Sequence, residues 1–448
     1  VTIRRARAED IIASELPQYL ATQLPDDPTA RQAMCRAKAT GLIEGIKVES
    51  GILVELGLDT DGEPLISFSH LTFQEYLAAR ALAGQPGLPN SLIGNLPSPA
   101  WQEVTLLYVD IKQDATSVIQ KLIALAERNP EAWLGAARCL NEKVRVAPQE
   151  REIVLRGMHS LLSTQDQNFR VRVCELLATV GTLESARVLV DVLEKDSVWD
   201  IRYAAGNALG RLGDPRFVSD QPIMLDVPEG EFKMGSNQYS GEKPIHSVFV
   251  PRFQISKFPI TNSEYKRFME ETGHAAPPDW EEKNFPKGRA NHPVVNVSWY
   301  DGVEFCNWLS QKTRRNFHLP SEAQWEKAAR GTDGREYPWG NEFDSNKCNV
   351  FESKIGTTTP VGIYIEGASP CGALDMAGNV LEWCSSLYEP YPFRENDGRE
   401  KLSAEGARIL RGGSWYFDQV LSRCAFRLGL DPHNRFYVVG FRVAESFS

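Results

Sequence analysis

The hydrophobic period of this chain changes near residue 220, and that change limits the folds open to it more than any other feature. Before it, apolar residues recur at the three- and four-residue spacing of a helix face, as in "RVRVCELLATVG" (170–181) and "RYAAGNALGRLG" (202–213). After about 224, tryptophan, glycine and proline rise and long helical periods become scarce. A chain of 448 residues is also too long for one core. The expectation is a multidomain protein, with an all-α N-terminal part followed by an irregular α+β domain rich in loops. "GDPRFVSDQPI" (213–223) reads as the linker between them.

Within residues 1–95, "GILVELGLDTDGEPLISFS" gives two short apolar strands around an Asp61-Gly62 turn. A helix follows in "HLTFQEYLAARAL", where Thr72 and Glu75 have capping-box spacing and Phe73, Tyr76, Leu77 and Ala81 make an apolar face. Helix, hairpin, helix is the order of a winged-helix unit. The stretch "FSHLTFQEYLAARAL" resembles the segment that follows the nucleotide-binding core of NACHT-type signalling ATPases. No G-x-x-x-x-G-K-[ST] occurs in the sequence, so the ATPase core is absent from this chain. The resemblance implies such a core upstream in a longer protein, and the opening "VTIRRARAED" reads like the middle of a helical region. Residues 96–220 read as helical pairs. Arg170 aligns with Arg202, Leu177 with Leu209, Val180 with Leu212 and Gly181 with Gly213 at a spacing of 32. This resembles HEAT-like repeats, which bury their faces by stacking and usually scaffold or bind.

Charge and cysteine usage remove several function classes. A net charge of -10 without a Lys/Arg cluster argues against nucleic acid as the main partner. No apolar run is long enough to span a bilayer, and no signal-peptide pattern opens the chain. Eight cysteines without a C-x-x-C pair or matching histidine spacing argue against structural zinc. They read as free buried thiols of a cytoplasmic protein.

In residues 221–448, Thr261 and Glu264 form a capping box with Ile260 and Tyr265 as a hydrophobic staple and Gly273 as the stop. Ser321 and Gln324 form another before Gly331, and Ser298 caps "WYDGVEFCNWLSQ". The ordered motifs "VPEGEFKMGS", "FPITNSEYKRFM", "HPVVNVSWYDGVEFCNWLS", "HLPSEAQWEKAARG", "YPWGN", "GALDMAGNVLEWCSS", "RILRGGSW" and "GFRVA" resemble the formylglycine-generating-enzyme (sulfatase-modifying factor) family. That resemblance implies a variant of the C-type lectin fold. The family's enzymes bind copper through two cysteines after the "RGGS-aromatic" motif, and the corresponding positions here are Phe417 and Ser422. Soft Cu(I) requires those thiolates, Cys424 is a single displaced thiol, and no copper is expected. The family also implies Ca²⁺ held in "DMAGNVLEW" by the side chains of Asp375 and Glu382 and the carbonyls of Gly378 and Val380. A tight turn in which Asp375 and Glu382 merely cap neighbouring amides stays open as the alternative. Arg411 and Arg442 read as buried structural pairs. The hercynine oxygenases of this fold need a His-rich iron site in a helical partner domain, whereas only His70 and His159 precede residue 224.

The segment 411–442, within "RGGSWYFDQVLSRCAFRLGLDPHNRFYVVGFRVA", has rigid-looking ends and an arbitrary-looking middle. Setting aside its framework leaves Tyr416, Phe417, Asp418, Val420, Leu421, Phe426, Leu428, Gly429, Leu430, His433, Asn434, Phe436, Tyr437 and Val438, which follow no period of a strand or helix. This form resembles the variable proteins of diversity-generating retroelements, in which adenines of Asn codons are rewritten. Such rewriting never yields Lys, Glu, Gln, Met or Trp, and all fourteen residues lie in the reachable set. The implied function is a non-enzymatic, diversified surface for an unidentified macromolecular ligand, with a protein expected, at the sensing end of a NACHT-type signalling or defence protein. Phe426, Val438 and Val439 also read as core, and about a third of the set is expected to be partly buried. A copper-dependent formylglycine-generating oxidase and a fixed-specificity protein-interaction module are the alternatives.

Overall fold

The computed structural model describes residues 2–20, 23–50, 52–140, 143–394 and 396–447; Val1 and Ser448, outer bounds of the expected domains, lie outside them. The chain divides into two compact units, residues 1–154 and 155–448, a division that departs from boundaries at 95 and 220.

In the first unit, β1 (Thr2–Arg4), β2 (Leu53–Leu58) and β3 (Pro64–Phe68) form an antiparallel sheet in the order β1-β3-β2. The β2–β3 hairpin turns at Asp61-Gly62, where Gly62 takes φ 80°. β1 is too short to carry a readable period. Helices α1 (Arg5–Tyr19) and α2 (Pro28–Gly45) pack on each other, and α3 (Leu71–Ala83) follows the hairpin. This last helix corrects two expectations. It starts at Leu71 without a side-chain cap, so Thr72 lies inside it. Phe73, Tyr76, Leu77 and Ala81 are exposed, whereas Ala79 and Leu82 are buried. After α4 (Asn90–Asn95), α5 (Gln102–Lys112) packs against α3, and the small Ala79 permits that approach. α6 (Thr116–Ala126) and α7 (Glu131–Arg138) pack as a pair. The boundary between the units falls within α8 (Pro148–Leu161).

The second unit begins with stacked helices α9 (Gln167–Val180), α10 (Leu183–Lys195) and α11 (Trp199–Leu212). Leu177 and Leu209 are fully buried, and Gly181 and Gly213 end their helices, as the repeat alignment requires. The aligned arginines differ in use. Arg170 pairs with the Asp196 carboxylate, whereas Arg202 donates to the carbonyls of Asp196 and Ile363, each at 2.8 Å. The expected linker is pinned down: Asp214 pairs with Arg216, which donates to the Val361 carbonyl, and Phe217 packs edge-on against Phe258. A Cβ on Gly210 would fall 2.2 Å from the Gly288 carbonyl, so the missing side chain lets α11 lie directly on the following domain.

Among its described residues that domain holds three sheets. β4 (Met224–Val227), β7 (Phe253–Ser256), β13 (Ala444–Ser446) and β8 (Phe317–His318) form one in that order, all antiparallel. β11 (Leu428–Leu430), β10 (Arg408–Arg411), β9 (Leu381–Leu387) and β12 (Val439–Phe441) form the second, with β12 parallel to β9. β5 (Gly230–Met234) and β6 (His246–Val250) make a hairpin. Helices α12 (Asn262–Thr272), α13 (Trp299–Thr313) and α14 (Glu322–Arg330) start at Thr261/Glu264, Ser298/Asp301 and Ser321/Gln324 capping boxes. Gly273 ends α12 at φ 73°, and the staple residues Ile260 and Tyr265 are buried. Trp299, Trp325 and Trp383 centre the core, and each indole N–H donates inward: to the Cys384 carbonyl, the Glu382 carboxylate and the Val297 carbonyl. The protein is thus a helical part with stacked repeats joined to an α+β lectin-like domain. No helix of the described residues is long and apolar enough to cross a membrane.

Candidate ligand-binding surface

Strand β10 delivers the chain into the segment 411–442, and Gly412 (φ 94°) and Gly413 (φ 69°) turn it. A Cβ on Gly413 would meet the Ser422 hydroxyl at 2.5 Å, which excludes a side chain there. Four buried arginines then hold the segment against glutamates from other parts of the domain. Arg411 pairs with Glu326. Arg423 binds both oxygens of Glu242 at 2.8 and 3.1 Å, Arg427 both of Glu322 at 2.7 and 2.8 Å, and Arg442 both of Glu382 at 2.6 and 2.8 Å. The planar guanidinium matches a carboxylate fork, so each pair fixes orientation as well as position. Burial alone would raise the Glu326 carboxyl, yet the Arg411 and Arg330 charges hold it below the usual carboxylate range. Nearer the surface, Arg435 bonds Asp301 at 3.0 Å.

These clamps sort the segment into two environments. Ser422, Arg423, Cys424, Ala425 and Arg427 of the framework are buried. Of the fourteen residues singled out from the sequence, Tyr416, Asp418, Leu428, His433, Phe436 and Tyr437 are exposed, while Phe417, Val420, Leu421, Phe426, Gly429, Leu430 and Asn434 are half-buried. Val438 is 8% exposed and belongs to the core with Val439, so it leaves the candidate surface. Burial goes further than the expected third for a structural reason. Phe417, Phe426 and Leu430 pack on the core around Trp299 and Phe441, and β11 pairs with β10.

The structure brings part of the set together and leaves part apart. Tyr416 (53% exposed) and Tyr437 (49%) meet edge-on at 6.1 Å, Trp415 lies 5.8 and 5.7 Å from them, and Phe417 is 5.7 Å from Tyr416. His433 sits elsewhere, 4.9 Å from Tyr300. Leu428 and Gly429 lie on the edge strand, where Tyr388 crowds Gly429. Exposed aromatics outside the segment, Phe351 and Tyr300 among them, escaped the sequence reading. Phe351, 68% exposed, donates its amide to the Phe417 carbonyl at 2.9 Å, and Tyr300 neighbours His433. Both lie outside 411–442, in stretches whose pattern gives no sign of facing the segment.

The donor sets bear on the metal expectations. At the copper positions stand a phenyl ring, Phe417, and a buried hydroxyl, Ser422, and burial pushes the Cys424 thiol up to about 12. These groups do not fit Cu(I). At the calcium positions, Glu382 accepts from both Arg442 and the Trp325 indole. Asp375 accepts from the Gly362 amide at 2.8 Å; burial pushes its carboxyl up to about 6, against that amide and the Arg442 charge. With Glu382 paired to Arg442, Asp375 is the one carboxylate among Asp375, Gly378, Val380 and Glu382 without an arginine partner, fewer charged oxygens than Ca²⁺ sites gather. Among the described residues, no three His, Cys, Asp or Glu side chains converge on such a site. The tight turn in which both carboxylates cap neighbouring amides is not seen either, because Asp375 accepts from the amide of Gly362 thirteen residues away and Glu382 binds side chains only.

A lectin-like domain clamped by buried Arg–Glu pairs and carried on helical repeats is the class defined here. The family described as sulfatase-modifying factor enzyme 1-like domain matches residues 212–447, and the chain belongs to that family. Residues 2–82 match the winged helix-turn-helix domain C-terminal to NACHT, and residues 155–220 match HEAT repeats. Serine/threonine-protein kinase Pkn1 of Chlamydia trachomatis is 35% identical over 253 residues, which cover 51% of this chain and only 39% of that protein. The formylglycine-generating enzyme of Streptomyces coelicolor is 30% identical over 306 residues, covering 54% of this chain and 94% of that protein. The inactive C-alpha-formylglycine-generating enzyme 2 of Mus musculus is 28% identical over 286 residues, covering 51% and 87%. Among solved structures, PvdO from Pseudomonas aeruginosa is similar with TM-score 0.44 and 27% identity, covering 51% of this chain and 96% of its own. Treponema denticola variable protein 1 is similar with TM-score 0.41 and 23% identity, covering 50% and 94%.

Proposed function

We propose that residues 411–442 present a non-catalytic ligand-binding surface, diversified in sequence by a retroelement, at the sensing end of a NACHT-type signalling or defence protein. The observation that carries this reading lies inside one segment: beside the buried framework side chains Ser422, Arg423, Cys424, Ala425 and Arg427, six of the fourteen residues of the restricted set are exposed and Tyr416 and Tyr437 meet. Exposed Tyr416, Phe436 and Tyr437 supply contact area at low entropic cost, as in paratopes. The scaffold tolerates change there because its stability rests on the arginine clamps and the tryptophan core. The residues weigh against the oxidase reading, since thiolates are replaced by Phe417 and Ser422, and a related protein is itself named inactive, although an active relative is 30% identical. The winged-helix match supports an ATPase core upstream. The ligand is expected to be a protein met in the cytoplasm.

Sequencing the genomic DNA downstream of the codons for Arg408 to Ser448 tests the proposal. A near-repeat differing mainly at adenines, beside a reverse-transcriptase gene, is the expected result. Its absence would leave a fixed-specificity interaction module. Stoichiometric copper binding with oxidation of a cysteine peptide would overturn the non-catalytic reading.

A further inference from the structure

Strand β6 alternates as a half-buried strand does, with Val248 and Val250 inward, and this puts Phe249 on the outer face at 56% exposure. Leu402 and Phe447, just past β13, are also half exposed, at 52% and 50%. The three share the lining of a pocket of about 470 Å³ with the buried side chains of Val250 and Ala323. Ser385 and Glu400 line it too, joined by the serine hydroxyl donating to the carboxylate at 2.7 Å. Apolar side chains gathered around one concave opening, with a few polar groups among them, are the usual make-up of a small-molecule site.

The charge balance of the pocket points to its occupant. The hydroxyls of Ser385 and Ser386 donate to one oxygen each of the Glu400 carboxylate, which leaves acceptor capacity on both. Among the described residues no arginine, lysine or histidine pairs with it. The clamp glutamates each hold an arginine, and so does Glu445. Glu264 and Asp375 lack one as well, but both are buried away from any such opening. The guanidiniums nearest Glu400 are committed elsewhere, Arg399 to Asp397 and Arg408 to the carbonyls of Ser385, Lys401, Leu402 and Ala404. Nor do the pocket's basic side chains supply a free charge. Arg252 bonds Asp226 at 2.9 Å and lies over the Phe447 ring at 5.2 Å. His318 donates from Nδ1 to the Leu319 carbonyl and accepts the Ser446 hydroxyl on Nε2, and burial pushes its imidazole down, so it is neutral. Burial and the Glu322 charge push the Glu400 carboxyl up, against the two hydroxyls. A carboxylate held by hydroxyls alone gains most from a cation brought in from outside.

We propose that this pocket binds a small apolar amine, its ammonium head on Glu400 and its aromatic or aliphatic body among Phe249, Leu402 and Phe447. The volume suits such a ligand, which is larger than a bare ion. Arg252 over Phe447 shows that this ring already accepts a cation on its face. The site is separate from the 411–442 surface and does not depend on how that surface is read.

The experiment is a calorimetric titration of the full chain at neutral pH and matched ionic strength with phenethylamine and with phenethyl alcohol, which has the same body and no charge. Saturable binding of the amine, about tenfold or more tighter than the alcohol, is the expected result. Glu400→Gln keeps the size of the side chain and removes its charge, and should weaken amine binding about tenfold or more while leaving the alcohol unchanged. Phe249→Ala alters an exposed side chain, so its unliganded Tm should match the wild type while both probes lose affinity, and it decides the matter should E400Q fold poorly. Equal affinity for the two probes would reduce the site to an apolar cavity and overturn the proposal. Unchanged amine affinity in either variant, or no saturation up to concentrations on the order of 10 mM, would overturn it as well.

Discussion

Asp375 shows how a single side chain departs from its sequence-level reading. "DMAGNVLEW" gave the acidic positions but not their partners, because Arg442 lies sixty residues away in the chain and only the parallel pairing of β12 with β9 brings it to Glu382. Asp375 is left as a buried carboxyl raised from 3.8 to about 6, so the folded state binds its proton more tightly than the unfolded one. Its favourable contribution is complete below the unfolded pKa and is lost as pH rises through 6. The stability of Asp375→Asn relative to the wild type should therefore shift in the variant's favour as pH rises from about 4 to about 7.5, as measured by denaturant unfolding across that range. Asparagine also tolerates the left-handed backbone at this position, φ 57°. EDTA should leave the wild-type Tm unchanged; a drop reversed by Ca²⁺ would reinstate the metal site. The clamps behave oppositely. Glu322→Gln removes the charge facing buried Arg427 and should cost about 3–5 kcal/mol in the same assay.

Among elements, those marked by local chemistry were legible. The caps at Thr261, Ser298 and Ser321, the stop at Gly273 and the 32-residue repeat all occur where side chains near in sequence do the work. The failures are tertiary. The apolar stripe of α3 predicts a buried face, but α5 packs elsewhere on that helix, and no local pattern can say which side a neighbour takes. The supposed linker reads as loose because its glycine, prolines and polar residues suit a turn, yet Asn291 reaches it from seventy-seven positions away. That join gives an element-scale prediction. Gly210→Ala would place a methyl against the Gly288 carbonyl and Asn291, and should lower the Tm of the full chain through a cost of about 2 kcal/mol or more, whereas Gly94→Ala, with open space around it, should not.

For the molecule as a whole, the change of period near residue 220 correctly separated helical from irregular architecture, whereas the two compact units divide at 154/155, so the repeats pack with the domain that follows them. Composition speaks to what each part is made of, while packing decides which parts share a compact unit. The cysteines extend the point across the chain. All eight are free, and Cys371 alone is not fully buried. Burial pushes Cys139, Cys174 and Cys424 up to about 12. The native protein should release at most one equivalent of thiolate to a disulfide reagent within minutes, and eight after denaturation. Rapid native reaction of Cys424 would contradict its placement beneath the surface.

The arginine clamps carry one more implication. In each, the basic half lies inside the segment 411–442 and the acidic half, Glu242, Glu322, Glu326 or Glu382, lies outside it. Grafting therefore becomes a matter of matching sockets: any relative that keeps the four glutamates and the core floor under Phe417, Phe426, Leu430, Val438 and Phe441 should accept this segment whole, as a plug whose exposed side chains travel with it.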